Sequence, residues 1–208
     1  MNELATQCIE RQVAALARLH AVIETAEYNQ IVEIVTEVAK QNYAARVLIA
    51  GVGKNSAIAS KISDSMASLG IPSHALNVSH LGHGDYGRIG PQDTIIHVSR
   101  SGKTREMLEA IDHIKLIRPD VVQILIHCKK DKSKNTNIDI ELFIGAVAEG
   151  DEFSLAPTTS TTALLCTLDC ISVQVSHNIG FKRLDFLKNH PDGVLGEMLK
   201  AEQTKKVQ

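Results

Sequence analysis

Val47-Leu48-Ile49-Ala50 is apolar at every position, and Gly51-Val52-Gly53 follows at once. A strand with one wet face alternates polar and apolar residues, whereas a run that does not alternate is buried on both faces, as inside a parallel sheet. Parallel strands need crossover connections, so such a chain must alternate strands with helices. Apolar runs at 73–78, 94–98, 121–127 and 142–147 supply the remaining strands, separated by helical segments or loops of crossover length. Between them, 56–69 carries Ile58, Ile62, Met66 and Leu69 at helical spacing before Gly70 and Pro72 stop it, and 107–117 is a second amphipathic segment. The expected fold is α/β, a three-layer α/β/α sandwich around a mainly parallel five-stranded sheet.

Two helices precede the first strand. Leu4, Ile9, Val13, Leu16, Leu19 and Ile23 recur at helical spacing over 4–23, and Ile31, Ile34, Val35 and Val38 do so over 28–38. Residues 158–179 read as one long helix, apolar through Leu164, Leu165, Leu168, Ile171, Val173 and Val175, to be buried in the core or at a subunit interface. The stretch 181–199 contains the turn His190-Pro191-Asp192-Gly193, and a lysine-containing tail follows. With 208 residues and 44% hydrophobic content, one core is expected. The chain divides into N-terminal helices over 1–43, a core over 44–199 and a tail over 200–208.

The 22 basic and 24 acidic residues nearly cancel, so an anionic ligand must be held by a local site rather than by a global field. Aromatics are 3% and tryptophan is absent, which argues against nucleic acid as a partner. No apolar run approaches the roughly 20 residues of a membrane span, and the start Met1-Asn2-Glu3-Leu4-Ala5 is unlike a leader, so no membrane partner and a cytoplasmic location are expected. Cys8, Cys128, Cys166 and Cys170 are scattered and are expected to be reduced core residues.

In an open parallel sheet, ligands collect beyond the carboxyl ends of the strands. After the third strand comes Ser99-Arg100-Ser101-Gly102-Lys103-Thr104-Arg105-Glu106. Unpaired amides at a helix start, a glycine and three hydroxyls suit a phosphate there, although serine and threonine also cap helices without any ligand. Gly51-Val52-Gly53-Lys54 allows close backbone approach and offers a cation, without the spacing of a nucleotide P-loop. Glu106 falls in the first turn, where it either complements the dipole or does chemistry. Glu149, Asp151 and Glu152 precede a second hydroxyl cluster, Thr158 to Thr162, and an acid beside an anion pocket suggests proton abstraction next to a carbonyl. His80, His83 and Asp85 lie in a glycine-flanked loop and could ligate a divalent metal. His190 is an acid or base candidate for a neighbouring pocket.

Taken together, Gly51-Val52-Gly53-Lys54, His83-Gly84-Asp85, the 99–106 turn, Glu149 with Leu155-Ala156-Pro157-Thr158-Thr159-Ser160-Thr161-Thr162, and Asn189-His190-Pro191-Asp192-Gly193 resemble a sugar isomerase (SIS) domain, and more narrowly the D-arabinose-5-phosphate isomerases. The likeness runs over most of 47–199 and implies a flavodoxin-like fold that interconverts D-ribulose 5-phosphate and D-arabinose 5-phosphate, the entry to the eight-carbon sugar Kdo of lipopolysaccharide. The reaction implied needs no cofactor. The resemblance puts the catalytic roles on Lys54, Glu106, Glu149 and His190. It puts substrate contacts on Gly53, Ser99, Ser101, Gly102, Thr104, His83, Thr158 and Ser160, with His83 metal-sensitive and no metal obligatory. A homo-oligomer, dimer or tetramer, is expected, and His190 suits donation from a neighbouring subunit.

Arg100 and Lys103-Thr104-Arg105 stand where such domains commonly have Asn and Glu-Ser-Ser, which makes the turn more positive, and Gly150-Asp151-Glu152 is more acidic than usual. These differences bear on affinity and on the choice of sugar. Family members usually continue into paired CBS modules; the chain stops shortly after Leu199, so regulation through them is not expected. Glu149 is favoured over Glu106 as the base, with Lys54 steadying charge on oxygen. A hexulose 6-phosphate isomerase and a non-catalytic sugar-phosphate sensor are the rival functions.

Overall fold

The computed structural model describes residues 2–41, 43–130, 133, 135–192 and 196–198. Five strands, β1 (Val47–Gly51), β2 (Ser73–Asn77), β3 (Thr94–Ser99), β4 (Val122–His127) and β5 (Ile140–Phe143), form one sheet. Their order is β2-β1-β3-β4-β5, and every neighbouring pair is parallel. β1 is buried at all five positions. Val47 and Ile49 belong to the core on one face of the sheet, while Leu48 and Ala50 belong to the core on the other. This is the two-sided burial that the unbroken apolar run requires.

The larger core lies under α1 (Glu3–Val22), α2 (Ala26–Lys40), α3 (Lys54–Ser68) and α6 (Thr159–Asn178). Thr25 caps α2 by accepting the Tyr28 amide. On the opposite face, α4 (Val78–Leu81), a 3₁₀ turn (Asp85–Arg88) with the Ile89 that follows it, and α5 (Arg105–Ile117) cover the sheet through Val78, Leu81, Ile89, Ala110, Ile111 and Ile114. The three layers match the expectation. In α6 the residues Leu164, Leu168, Ile171 and Val175, spaced four, three and four apart, are fully buried in this chain's own core. Val173, read from sequence with that stripe, falls on the other side and is 63% exposed.

Two local expectations are corrected, and one element is added. The last strand ends at Phe143 instead of running to 147, because Gly145 at φ +103° turns the backbone and the Ala146 carbonyl accepts from Arg18 Nη1 instead of from a strand. The segment around His80 is partly helical: the Asn77 side chain accepts the Ser79 amide at 3.1 Å and starts α4. A short helix, α7 (Arg183–Asn189), follows α6. The expected turn at 190–193 and the tail from 200 run partly or wholly outside the described residues. All four cysteines are free, with only Cys128 fully buried. Among the described residues no helix is long and apolar enough to cross a membrane.

Candidate active site

From β1 the chain crosses outward to β2 on one side, and from β3 to β4 and β5 on the other. Turns leaving β1 and β3 therefore diverge at the carboxyl edge and open a crevice, the ligand position of open α/β sheets. The register pairs Gly51 with Val98 and Ser99 with His127. Gly53 and Lys54, at the start of α3, thus stand beside the Ser99–Thr104 turn at the start of α5.

That turn folds around its own hydroxyls. Ser99, 1% exposed, accepts the Gly102 amide on Oγ at 3.0 Å and lies 3.4 Å from Thr104 Oγ1. Ser101 Oγ accepts the Lys103 amide at 3.1 Å. A serine oxygen that accepts a backbone amide still carries a proton to donate, so the turn aims its hydroxyls as donors. Gly102 sits at φ +65°, and a Cβ there would come within 3.2 Å of His127 Nδ1, so the turn rests directly on that ring and only glycine fits. Thr104 makes no side-chain cap bond, and the amides of Arg105 and Glu106 have no acceptor among the described residues. They form an open, electropositive helix start. Glu106 and Lys54 are exposed at this edge, and no hydrogen bond or ion pair engages either side chain among the described residues.

Glu149 is the opposite. Its residue is 0% exposed. Oε2 accepts the Thr158 and Ser160 amides at 2.9 and 3.1 Å, while Oε1 accepts the Ser160 hydroxyl and pairs with Arg100 Nε at 2.9 Å. Arg11 holds the Glu149 and Asp151 carbonyls, and Thr158 Oγ1 accepts the Gly150 amide at 2.7 Å. Thr158 and Ser160, read from sequence as substrate contacts, therefore serve the protein's own carboxylate. The hydroxyl-rich sequence signalled a helix start correctly, but a filled one.

His127 and Cys128 line the floor between these groups. Burial holds the His127 imidazole below its ordinary range, opposed by Glu141, whose Oε1 lies 3.0 Å from Nε2. The Cys128 thiol is pushed up to about 12, by burial first and by Glu149 next, with Arg100 opposing. It is a packing group, since the reactive form of cysteine is the thiolate. His127 was missed in sequence because a histidine ending a buried strand gives no signal until Gly102 is seen to lie on it.

His190 is at the wrong edge for its own crevice. Its ring stacks on Phe186 with centroids 4.1 Å apart, and neighbouring Asn189 donates to the Ala67 and Ser68 carbonyls at the far end of α3. α3 leaves the carboxyl edge and runs 15 residues, roughly 22 Å, to the opposite edge. His83 is exposed between α4 and the 3₁₀ turn. No group of three or more His, Cys, Asp or Glu side chains is arranged to hold a metal among the described residues.

Several known proteins are similar to this chain. The chain is 31% identical over 193 residues to arabinose 5-phosphate isomerase KpsF of Escherichia coli O6:H1, covering 93% of this chain and 57% of that protein. It is 36% identical over 154 residues to arabinose 5-phosphate isomerase KdsD of Yersinia pestis, covering 74% and 46% respectively. The chain thus spans about half the length of the curated relatives it matches. A solved protein of E. coli CFT073 in complex with A5P superposes with a TM-score of 0.79 at 27% identity, over 91% of this chain and 96% of that one. The model of the SIS domain matches residues 42–173, and with well over half of its length inside that match the chain belongs to the SIS domain family.

Proposed function

We propose that this chain is an aldose–ketose isomerase interconverting D-ribulose 5-phosphate and D-arabinose 5-phosphate through an enediol. The observation that carries this reading is the start of α5 at the crevice, open among the described residues, with a carboxylate, Glu106, in its first turn that none of them engages. The names of the relatives and the A5P bound by the size-matched E. coli protein favour the pentose 5-phosphate over a hexulose 6-phosphate.

The phosphate docks on the amides of Arg105 and Glu106 and the hydroxyls of Ser99, Ser101 and Thr104. A carboxylate then removes the C1 proton of the ketose; the C2 carbonyl oxygen gains charge and a proton, giving the 1,2-enediol. Return of a proton to C2, with loss of one from the C1 hydroxyl, yields the aldose. Electrons are conserved, so no redox cofactor is called for. Glu106 takes the base role in place of Glu149, because every oxygen of Glu149 already accepts from the protein, whereas Glu106 accepts from nothing among the described residues. Lys54 offsets charge on the enediolate oxygen. Glu149 positions the β3–α5 turn through Arg100.

His190 can act only in the crevice of a neighbouring protomer, so the active form is a homo-oligomer, a dimer or tetramer. A cytoplasmic location and supply of arabinose 5-phosphate to Kdo synthesis complete the reading. The test is conversion of each pentose 5-phosphate into the other, followed by product analysis alongside hexulose 6-phosphate. Turnover of the pentose pair supports the proposal, and conversion of the hexulose alone overturns its substrate. Tight binding without conversion of any sugar phosphate leaves a sensor instead.

A further inference from the structure

A cavity of about 460 Å³ opens on the β4 side of the phosphate turn, and its lining includes Arg100, Ser101, Lys129 and Lys130. Only Arg100 and Ser101 are shared with the turn. Arg100 is held in place from behind: Nε pairs with Glu149, a carboxylate that is itself 0% exposed and fixed to the start of α6. A guanidinium has five donors, and this pairing uses the Nε edge. Nη2 reaches only the Ser154 carbonyl, at 3.4 Å, and Nη1 has no partner among the described residues. Lys129 and Lys130 are exposed, and neither ammonium has an anionic partner among the described residues. Among the described residues no carboxylate lines the cavity, and Glu149, behind Arg100, has both side-chain oxygens filled.

A buried acid that fixes one edge of an arginine leaves the other edge pre-organised, and anion receptors gain affinity from that pre-organisation. We propose that this cavity is a second anion subsite, adjoining the phosphate turn across Ser101, so that the ligand with the highest affinity for this chain carries an anionic group beyond the phosphate held by α5. The ligand class is a small molecule bearing two or more phosphoryl or carboxylate groups. The charge of Lys129 and Lys130, beside the free edge of Arg100, then has a purpose that a singly phosphorylated pentose does not exhaust. The inference extends the isomerase reading without needing turnover.

Calorimetric titration of the full chain with inorganic phosphate and with tripolyphosphate, at fixed ionic strength near 150 mM, tests it. Tripolyphosphate is expected to bind at least tenfold more tightly than phosphate. In the Lys129→Ala/Lys130→Ala double variant that advantage should fall to threefold or less, while phosphate affinity changes less than twofold. Both lysines are exposed, and a thermal melt unchanged from the parent protein verifies the fold. Equal affinity for the two anions, or a tripolyphosphate advantage that survives in the double variant, overturns the proposal. Because no sugar is converted in this titration, a failed isomerase assay beside a positive titration sinks only the reaction.

Discussion

Helices α5 and α6 both begin at the carboxyl edge of the sheet behind a run of hydroxyls, and each has a glutamate within reach of its first amides. At α6 the glutamate is folded back onto the helix start, buried, and joined to Thr158, Ser160 and Arg100. At α5 the glutamate is exposed, and the Arg105 and Glu106 amides have no acceptor among the described residues. The same electropositive feature is neutralised internally in one place and left open, among the described residues, in the other. Similar local sequence thus gives one acid that the chain folds onto itself and one that nothing engages among the described residues, the acid to which we assign the chemistry.

The largest expected effect separates them by stability. Glu149→Ala leaves the α6 amides and the Ser160 hydroxyl without their acceptor and should cost about 1–3 kcal/mol in urea unfolding, the scale for stranding buried donors, while the partly exposed Arg100 turns to water. Glu106→Ala should stay within about 0.5 kcal/mol, as for an exposed side chain. Equal costs would erase the distinction. Next comes chemistry: Glu106→Gln should lower kcat by about 10²–10⁴ with little change in KM, the range for loss of a general base. Near-normal kcat would return the base role to Glu149.

Gly102→Val then probes the open site itself. A side chain at φ +65° against His127 should cost about 1–3 kcal/mol and weaken phosphate binding, whereas a matching loss at Gly82, which has open space around it, is not expected. The smallest effect is acid sensitivity. Burial lowers His127 and brings His97, bonded to Gln123 at 3.0 Å, down to about 4. Both lie beneath the α5 side. Folded protein binds fewer protons than unfolded chain, so stability is complete above pH 6.5 and falls as pH drops, in His97 down to about pH 4. Each group contributes a slope of up to about 1.4 kcal/mol per pH unit. Urea midpoints at pH 7, 6 and 5 should decline, and His97→Leu should flatten the decline; a parallel decline in the variant contradicts the assignment.

Much of this was legible beforehand because it rests on short-range patterns. The unbroken Val47–Ala50 run forced two-sided burial, and the hydroxyl turn after β3 marked a helix start. Roles that depend on what lies across space were not legible. Glu149 looked like a free acid beside a phosphate, and only the packed chain brings Thr158, Ser160 and Arg100 onto it. Gly51 looked like room for a ligand, yet a Cβ there would meet the Asn55 backbone carbonyl, so it is α3 that needs the space. His190 matched the motif by sequence order, while α7 carries it to the far end of α3.

The proposed proton transfer by Glu106 at the start of α5 is best tested by incubating D-ribulose 5-phosphate with the protein in D₂O and reading deuterium at C1 and C2 by NMR. The parent protein should wash solvent deuterium into the sugar, and Glu106→Gln should bind phosphate normally but exchange at least a hundredfold more slowly. Exchange by Glu106→Gln at the parent rate would contradict the account.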